Sequence, residues 1–179
     1  MKRDTLKALL SRYQPFTHTD TDALERIIAF VREHPDCFER SLAVGHVTAS
    51  AFLLNKEGNK ALLMHHAKLN EWIQLGGHCD GDPDTCAVAI KEAQEESGIQ
   101  GIAPITSEIF DLDVHLIPAN SKESAHYHYD IRFLLRVTSD EDFERNHESH
   151  DMRWFNKNIA ELPTSSPSVV RMFEKWHAL

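Results

Sequence analysis

Three glutamates, Glu92, Glu95 and Glu96, stand in a stretch whose composition suits a helix. Helical residues advance by about 100° each, so these positions fall within an arc of about 100° and aim three carboxylates at one spot. Like charges three and four residues apart destabilise a helix by about 0.2–0.5 kcal/mol per pair. They also occupy its C-terminal half, where the helix dipole disfavours negative charge. A bound cation removes both penalties. Oxygen ligands suit a hard ion, and Mg2+ is usually held by a few carboxylates while it keeps waters and takes substrate phosphate oxygens.

An E-x-x-E-E helix can equally be a solvated acidic face, but the surroundings argue otherwise. Gly76 and Gly77 permit close backbone approach. Asp82 or Asp84 can cap the helix with Pro83 near its first turn, and Gly98 suits a left-handed C-terminal cap. Cys86, Ala89, Ile90, Ala93 and Ser97 form a stripe of small residues that lets the helix lie close on a sheet.

With these features, Gly77 to Ile99 resembles the Nudix box, G-x5-E-x7-R-E-U-x-E-E-x-G-U, where U is a bulky apolar residue. Gly77 matches the first glycine, Glu92 the acid of the R-E pair, Glu95 and Glu96 the E-E pair, and Gly98 with Ile99 the end. Lys91 replaces the arginine, Ala93 replaces U, and Pro83 falls where the first glutamate belongs, with Asp82 and Asp84 on either side. The resemblance covers roughly residues 43 to 160. It implies an α/β/α sandwich and a Mg2+ ion, for which Mn2+ can substitute, held by Glu92, Glu95, Glu96 and the Gly76 carbonyl. It also implies a brace between loop and helix, which Lys91 would make to Asp82 or Asp84.

The activity implied is hydrolysis of the pyrophosphate bond in a nucleoside diphosphate linked to another group, releasing a phosphomonoester. Glu92 is the first choice of general base, with Glu95, Glu123, Glu144 or Glu148 as substitutes. Two alternatives share the fold. An isopentenyl diphosphate isomerase-like enzyme needs a reactive cysteine, and Cys79 in the box turn matches that poorly. A non-catalytic nucleotide sensor would usually lose box glutamates, and all are present.

Composition bounds these readings. A chain of 179 residues can form one domain with a sizeable core. It has no apolar run of membrane-spanning length and no secretory signal at Met1 to Leu10. Three cysteines without C-x-x-C point to a reducing cytoplasm and to neither a disulfide frame nor zinc. A net charge of −9 disfavours nucleic acid as partner, while a small nucleotide or diphosphate reaching the protein through Mg2+ is compatible with it.

The elements that must position the box follow from periodicity. Leu6, Leu9, Leu10 and Tyr13 mark one helix; Leu24, Ile27, Ile28 and Val31 mark a second, capped by Thr19. These make residues 1–40 a helical preface to a catalytic core at 43–179. The preface could pack on the core, cover a pocket or form a homodimer face. From Val44 the period is two: His46, Thr48 and Ser50 alternate with Val47, Ala49, Ala51 and Leu53, a half-buried strand. Asn55 to Asn59 turns into a strand at Ala61 to Met64, and Trp72 to Leu75 is a short strand delivering the box glycines. Ile105 to Ile117, Tyr127 to Val137 and Met152 to Phe155 are further strands. Asn158 to Leu162 is a helical turn, and Ser166-Pro167 opens a last helix with Val169, Val170, Phe173 and Trp176 inward. The result is an α/β fold with a mixed sheet between helices.

Twelve histidines are the second chemical signal. His126, His128 and Asp130 share one strand face, with Asp113 and His115 opposite on a neighbouring strand. His115, His126 and His128 could hold a second metal, although imidazoles on a strand more often bond to carboxylates or line a polar pocket. His66, Lys68 and Trp72, like His126 and His128, are candidates to meet substrate, against the plainer roles of solvated turn and core packing.

Overall fold

The computed structural model describes residues 2–121, 123–144 and 149–179. Helices α1 (Asp4–Arg12) and α2 (His18–Glu33) open the chain. Strands β1 (Gly45–Leu54), β2 (Lys60–His66), β3 (Glu71–Ile73) and β4 (Leu75–His78) lead to helix α3 (Thr85–Ser97). Strands β5 (Ile102–Pro104), β6 (Asp111–Ile117), β7 (His126–Val137) and β8 (Ser149–Asn156) follow, then a 3-10 turn at Ile159–Glu161 and helix α4 (Pro167–His177).

All eight strands belong to one mixed sheet. The central strand β1 runs parallel to β7 along its length; the remaining pairs are antiparallel. On its other edge β1 meets β2 only at the hairpin, where Leu54 opposes Ala61, and then meets β4 from Ala51 opposite Leu75 to Thr48 opposite His78. Strand β2 instead continues against β3 and β8. Gln74 is the residue at which the chain crosses from one partner to the other, and it delivers Gly76 and Gly77 to the centre of the sheet.

Alternation along β1 and β7 divides the core into two layers. Val47, Ala49, Ala51 and Leu53 with Ile131, Phe133 and Leu135 join the cluster that includes residues of α1, α2 and α3. Phe52, Leu54 and Leu134 pack with Val169, Met172, Phe173 and Trp176 of α4. This is the expected α/β/α sandwich. The expectation of a half-buried β1 fails, because all ten of its residues are buried. Its polar set, His46, Thr48 and Ser50, is covered by other polar side chains rather than by water.

The stretch Ile105 to Ile117 is not one strand. The Ile105 N–H reaches the Leu134 carbonyl and the Phe110 N–H reaches that of Arg132, so five residue steps span only two on β7 and the intervening residues loop out. Pro104 ends β5 without an N–H to continue the ladder. In α4, Val170 is only half-buried, whereas Arg171, Met172 and Lys175 are buried.

Helix α2 begins two residues earlier than expected. Its cap is Thr17, whose side chain accepts from the Asp20 N–H at 3.2 Å; Thr19 lies inside the helix. Ala23, Ile27, Phe30 and Val31 face inward while Ile28 is exposed, since Phe30 stacks on Tyr129 of β7 with ring centroids 3.8 Å apart. Burial of Ile27, Phe30 and Val31 contributes about 1.5–3 kcal/mol each. Both helices pack on the core, the first of the roles left open by sequence.

Candidate active site and a neighbouring histidine cluster

Helix α3 is fixed at both ends. The Asp84 carboxylate accepts from the Ala87 N–H at 3.0 Å, and Asp82 accepts from the Asp84 N–H at 2.9 Å. Gly98 caps the other end in the left-handed conformation with φ 76°. The buried small residues Ala89, Ala93 and Ser97 bring the helix against β1 and β4. At that contact a Cβ on Gly77 would lie 2.3 Å from Glu92 Oε2, so any side chain here would push the carboxylate from this position. The Gly76 N–H donates to Glu96 Oε2 at 2.8 Å. Glu96 is buried and Glu95 is exposed. Two of the three glutamates therefore converge on the glycine pair in the middle of β4.

Lys91 does not reach Asp82 or Asp84. Both acids are engaged by backbone N–H groups at the helix start, and the Lys91 ammonium lies 3.3 Å from Glu92 Oε1 and 3.1 Å from Glu95 Oε2. The turn is braced from elsewhere. Arg40 makes a bidentate fork to Asp80, which holds the Asp80 carboxyl below the usual carboxylate range. Asp80 has φ 50°, the left-handed region that aspartate tolerates better than most residues. The Gly81 N–H donates to the Phe38 carbonyl at 2.9 Å. Residues preceding the sheet thus shape the box turn.

A buried ionic layer crosses the opposite face of the sheet. Asp130 accepts from Thr48 at 2.9 Å, Ser50 at 2.8 Å and Arg132 Nε at 2.7 Å. Arg132 continues to Asp111 at 3.0 Å. Arg171 meets Asp111, Asp113 and Asp20, and Lys175 meets Asp20 and Asp111. The Tyr13 hydroxyl donates to Asp20 at 3.2 Å. Through this layer α1, α2 and α4 are tied to β6 and β7.

Beside Asp130 the same face carries imidazoles from several strands. His46 opposes His128 across β1 and β7, and His115 opposes His128 across β6 and β7. Among the described residues, His46, His78 and His128 each offer a ligand atom within 4.8 Å of the others. Burial, reinforced by neighbouring imidazoles, pushes His46 down to about 4 and His128 to about 2. Burial also lowers His78, with Arg40 the next cause.

The NUDIX domain family model matches residues 44–175. The chain belongs to the Nudix family. No curated protein sequence matches it significantly. Solved structures with a similar fold include an Ap4A hydrolase from C. elegans, with TM-score 0.58 and 19% identity over 74% of this chain and 95% of that one. A NUDIX family hydrolase from Clostridium perfringens aligns with TM-score 0.55 and 22% identity over 74% and 97%. The E. coli dihydroneopterin triphosphate pyrophosphohydrolase aligns with TM-score 0.55 and 13% identity over 72% and 92%.

Other predicted site residues of this Nudix hydrolase are dispersed. His66 Nδ1 accepts from the N–H groups of Lys68 and Leu69, organising a turn on which Lys68 is exposed. Trp72 stacks on His65 at 5.3 Å, with Arg153 over its ring at 5.5 Å, beside a cleft of about 530 Å³. His115 and His126 already have partners, Asp113 Oδ2 at 3.0 Å and the Ser124 carbonyl at 2.8 Å. Glu123 and Glu144 are exposed; Glu148 lies outside the described residues. Sequence reasoning missed Arg40, His46 and His78. The alternation of His46 with Thr48 and Ser50 was a usable signal, but it gave no sign that this face is buried.

Proposed function

We propose that this Nudix hydrolase cleaves the diphosphate bridge of a nucleoside diphosphate linked to a second group, releasing a phosphomonoester. The observation that carries the proposal is the convergence of Glu92 and Glu96 on Gly76 and Gly77. The donor set fits Mg2+, with Mn2+ as a substitute: two carboxylates meet beside Gly76 and Gly77, the third stands one helical turn away on the same helix, and a Lys91 ammonium already lies between Glu92 and Glu95. Glu92, Glu95, Glu96 and the Gly76 carbonyl would hold the ion. When bound, it would neutralise diphosphate oxygens and acidify a water.

The chain's own groups do the rest. Gly76 orients Glu96 through its N–H, and Glu92, with its side chain 18% exposed, can accept a proton from a water at the site. His126, Lys68 and Trp72 are the side chains outside the box proposed for substrate contact. Burial pushes the Cys79 thiol well above its ordinary range, which makes it a poor acid and nucleophile and speaks against isomerase chemistry. Retention of all three glutamates speaks against a sensor. Two fold relatives are named as an Ap4A hydrolase and a triphosphate pyrophosphohydrolase, which supports phosphoanhydride cleavage as the reaction class.

Residues 1–179 are proposed to act as one domain, because α1 and α2 share its core and ionic layer. None of the described helices is long and apolar enough to cross a membrane. The three cysteines are free, in keeping with a cytoplasmic enzyme acting on a small molecule. The test is a screen of nucleotide sugars, dinucleoside polyphosphates, nucleoside triphosphates and CDP-alcohols with Mg2+. Two phosphomonoesters from a linked nucleoside diphosphate are expected. Turnover confined to nucleoside triphosphates, or rearrangement of an allylic diphosphate without hydrolysis, would overturn the assignment.

A further inference from the structure

We propose that His46, His78 and His128 form a binding site for a borderline divalent transition metal, Zn2+ in particular, separate in donor chemistry from the glutamate site. Three adjacent strands supply one ligand each, β1, β4 and β7, and the register brings them onto one face of the sheet. Their ligand atoms lie within 4.8 Å of one another. A tetrahedral Zn2+ with Zn–N bonds of about 2.0–2.1 Å needs nitrogens about 3.3 Å apart, so the remaining contraction is of the size that imidazole rotation about χ1 and χ2 supplies.

The decisive observation is the unsatisfied nitrogens. His46 is 3% exposed, yet neither of its ring nitrogens has a hydrogen-bond partner, and His128 Nε2 is likewise buried and unpartnered. Leaving a buried polar atom unpaired costs about 1–3 kcal/mol. Two histidines account for three such atoms, all in one cluster, and a shared metal ion would engage the lone pair on each ring.

The surroundings match a ligating role. Burial and mutual repulsion favour neutral imidazoles here, and the neutral ring is the form that binds metal. Imidazole donors suit Zn2+, Cu2+, Ni2+ or Fe2+, whereas Mg2+ prefers oxygen. Three protein ligands leave a coordination position open for water or substrate. His115 and His126, with ring centroids 5.4 and 5.3 Å from His128, flank the trio with their Nδ1 atoms already held. His78 follows Gly77 directly, so the histidine and glutamate sites share strand β4. The assignment does not depend on which anhydride the glutamate site cleaves.

The test uses the full chain stripped by a chelator and titrated with Zn2+, or with Co2+ as a chromophoric substitute. One equivalent should bind, Co2+ should show visible d–d bands of a low-coordinate site, and X-ray absorption at the zinc edge should show scattering from three imidazoles. Loss of a supporting outer-shell group costs about 10–100-fold in metal affinity, so removing a direct ligand with H46Q, H78Q or H128Q should cost about 100-fold or more. E96Q should keep its Zn2+. Circular dichroism reports whether each variant folds, and the X-ray absorption of the unaltered chain needs no variant. Absence of stoichiometric Zn2+ binding, oxygen-only coordination, or zinc lost in E96Q and retained in the histidine variants would overturn the proposal.

Discussion

Between β6, β7 and the helices α2 and α4, four carboxylates (Asp20, Asp111, Asp113, Asp130) face three cations (Arg132, Arg171, Lys175), and each acid meets at least one of them. On α3, Glu92 and Glu95 both meet Lys91, and Glu96 accepts from the Gly76 N–H. The residue types are the same, but the first group is buried and nearly charge-balanced, while the second is partly open, with Glu95 exposed and Glu92 half-buried. Desolvating the inner charges is costly and is offset only while all members stay paired. That layer is structural. The outer group gathers carboxylates beside Gly76 and Gly77 at a partly open position, and such an arrangement is suited to a cation that arrives with substrate.

The largest effect should come from breaking the inner layer. Arg132→Ala should lower unfolding stability by about 3–5 kcal/mol, since it strands buried carboxylates, as read from urea denaturation. Asp111 and Asp113 sharpen the point. Burial alone would raise both, but Arg132 and hydrogen bonds from neighbouring cations hold them below the ordinary value of 3.8. Such groups contribute stability that is full above that value and is lost as pH falls below it. The native protein should therefore lose urea resistance steeply below about pH 4. A flat profile from pH 5 to pH 3 would show that the acids are not held by their partners.

Next in size is Glu96→Gln. It should lower turnover by at least about 100-fold, equivalent to about 2.7 kcal/mol of barrier, while stability stays level or rises slightly because one like charge is removed. Equal loss of activity and of fold would erase the distinction between the two regions.

The smallest effect is expected for Lys91→Ala. With the ammonium withdrawn from between Glu92 and Glu95, Mg2+ should bind about two- to fourfold more tightly, and stability should fall by no more than about 0.5 kcal/mol for an exposed pair. Calorimetric titration of Mg2+ measures the first. Weaker Mg2+ binding would return Lys91 to the bracing role its position in the box suggests.

How far each region was legible in sequence follows from the range of its contacts. Glu92, Glu95, Glu96, the Asp84 cap and the Gly98 cap belong to one local segment, so helical geometry was enough to assemble them. The facing of Asp113 with Asp130 and His115 with His128 followed from strand alternation once β6 and β7 were taken as neighbours. The fork from Arg40 to Asp80 joins residues 40 positions apart, and Lys175 meets Asp111 at a separation of 64. No local pattern encodes such pairings. His46 was misread for a related reason: alternation places it on a polar face, while burial of that face depends on β7 and β4 closing over it.

The central claim is that the carboxylates of α3 act on a water that attacks phosphorus. Reaction in ¹⁸O-labelled water tests it most directly, with both products resolved by mass spectrometry. The account predicts label in one phosphomonoester only, because in-line attack on a clamped diphosphate admits one geometry. Turnover without label in either phosphate would contradict it.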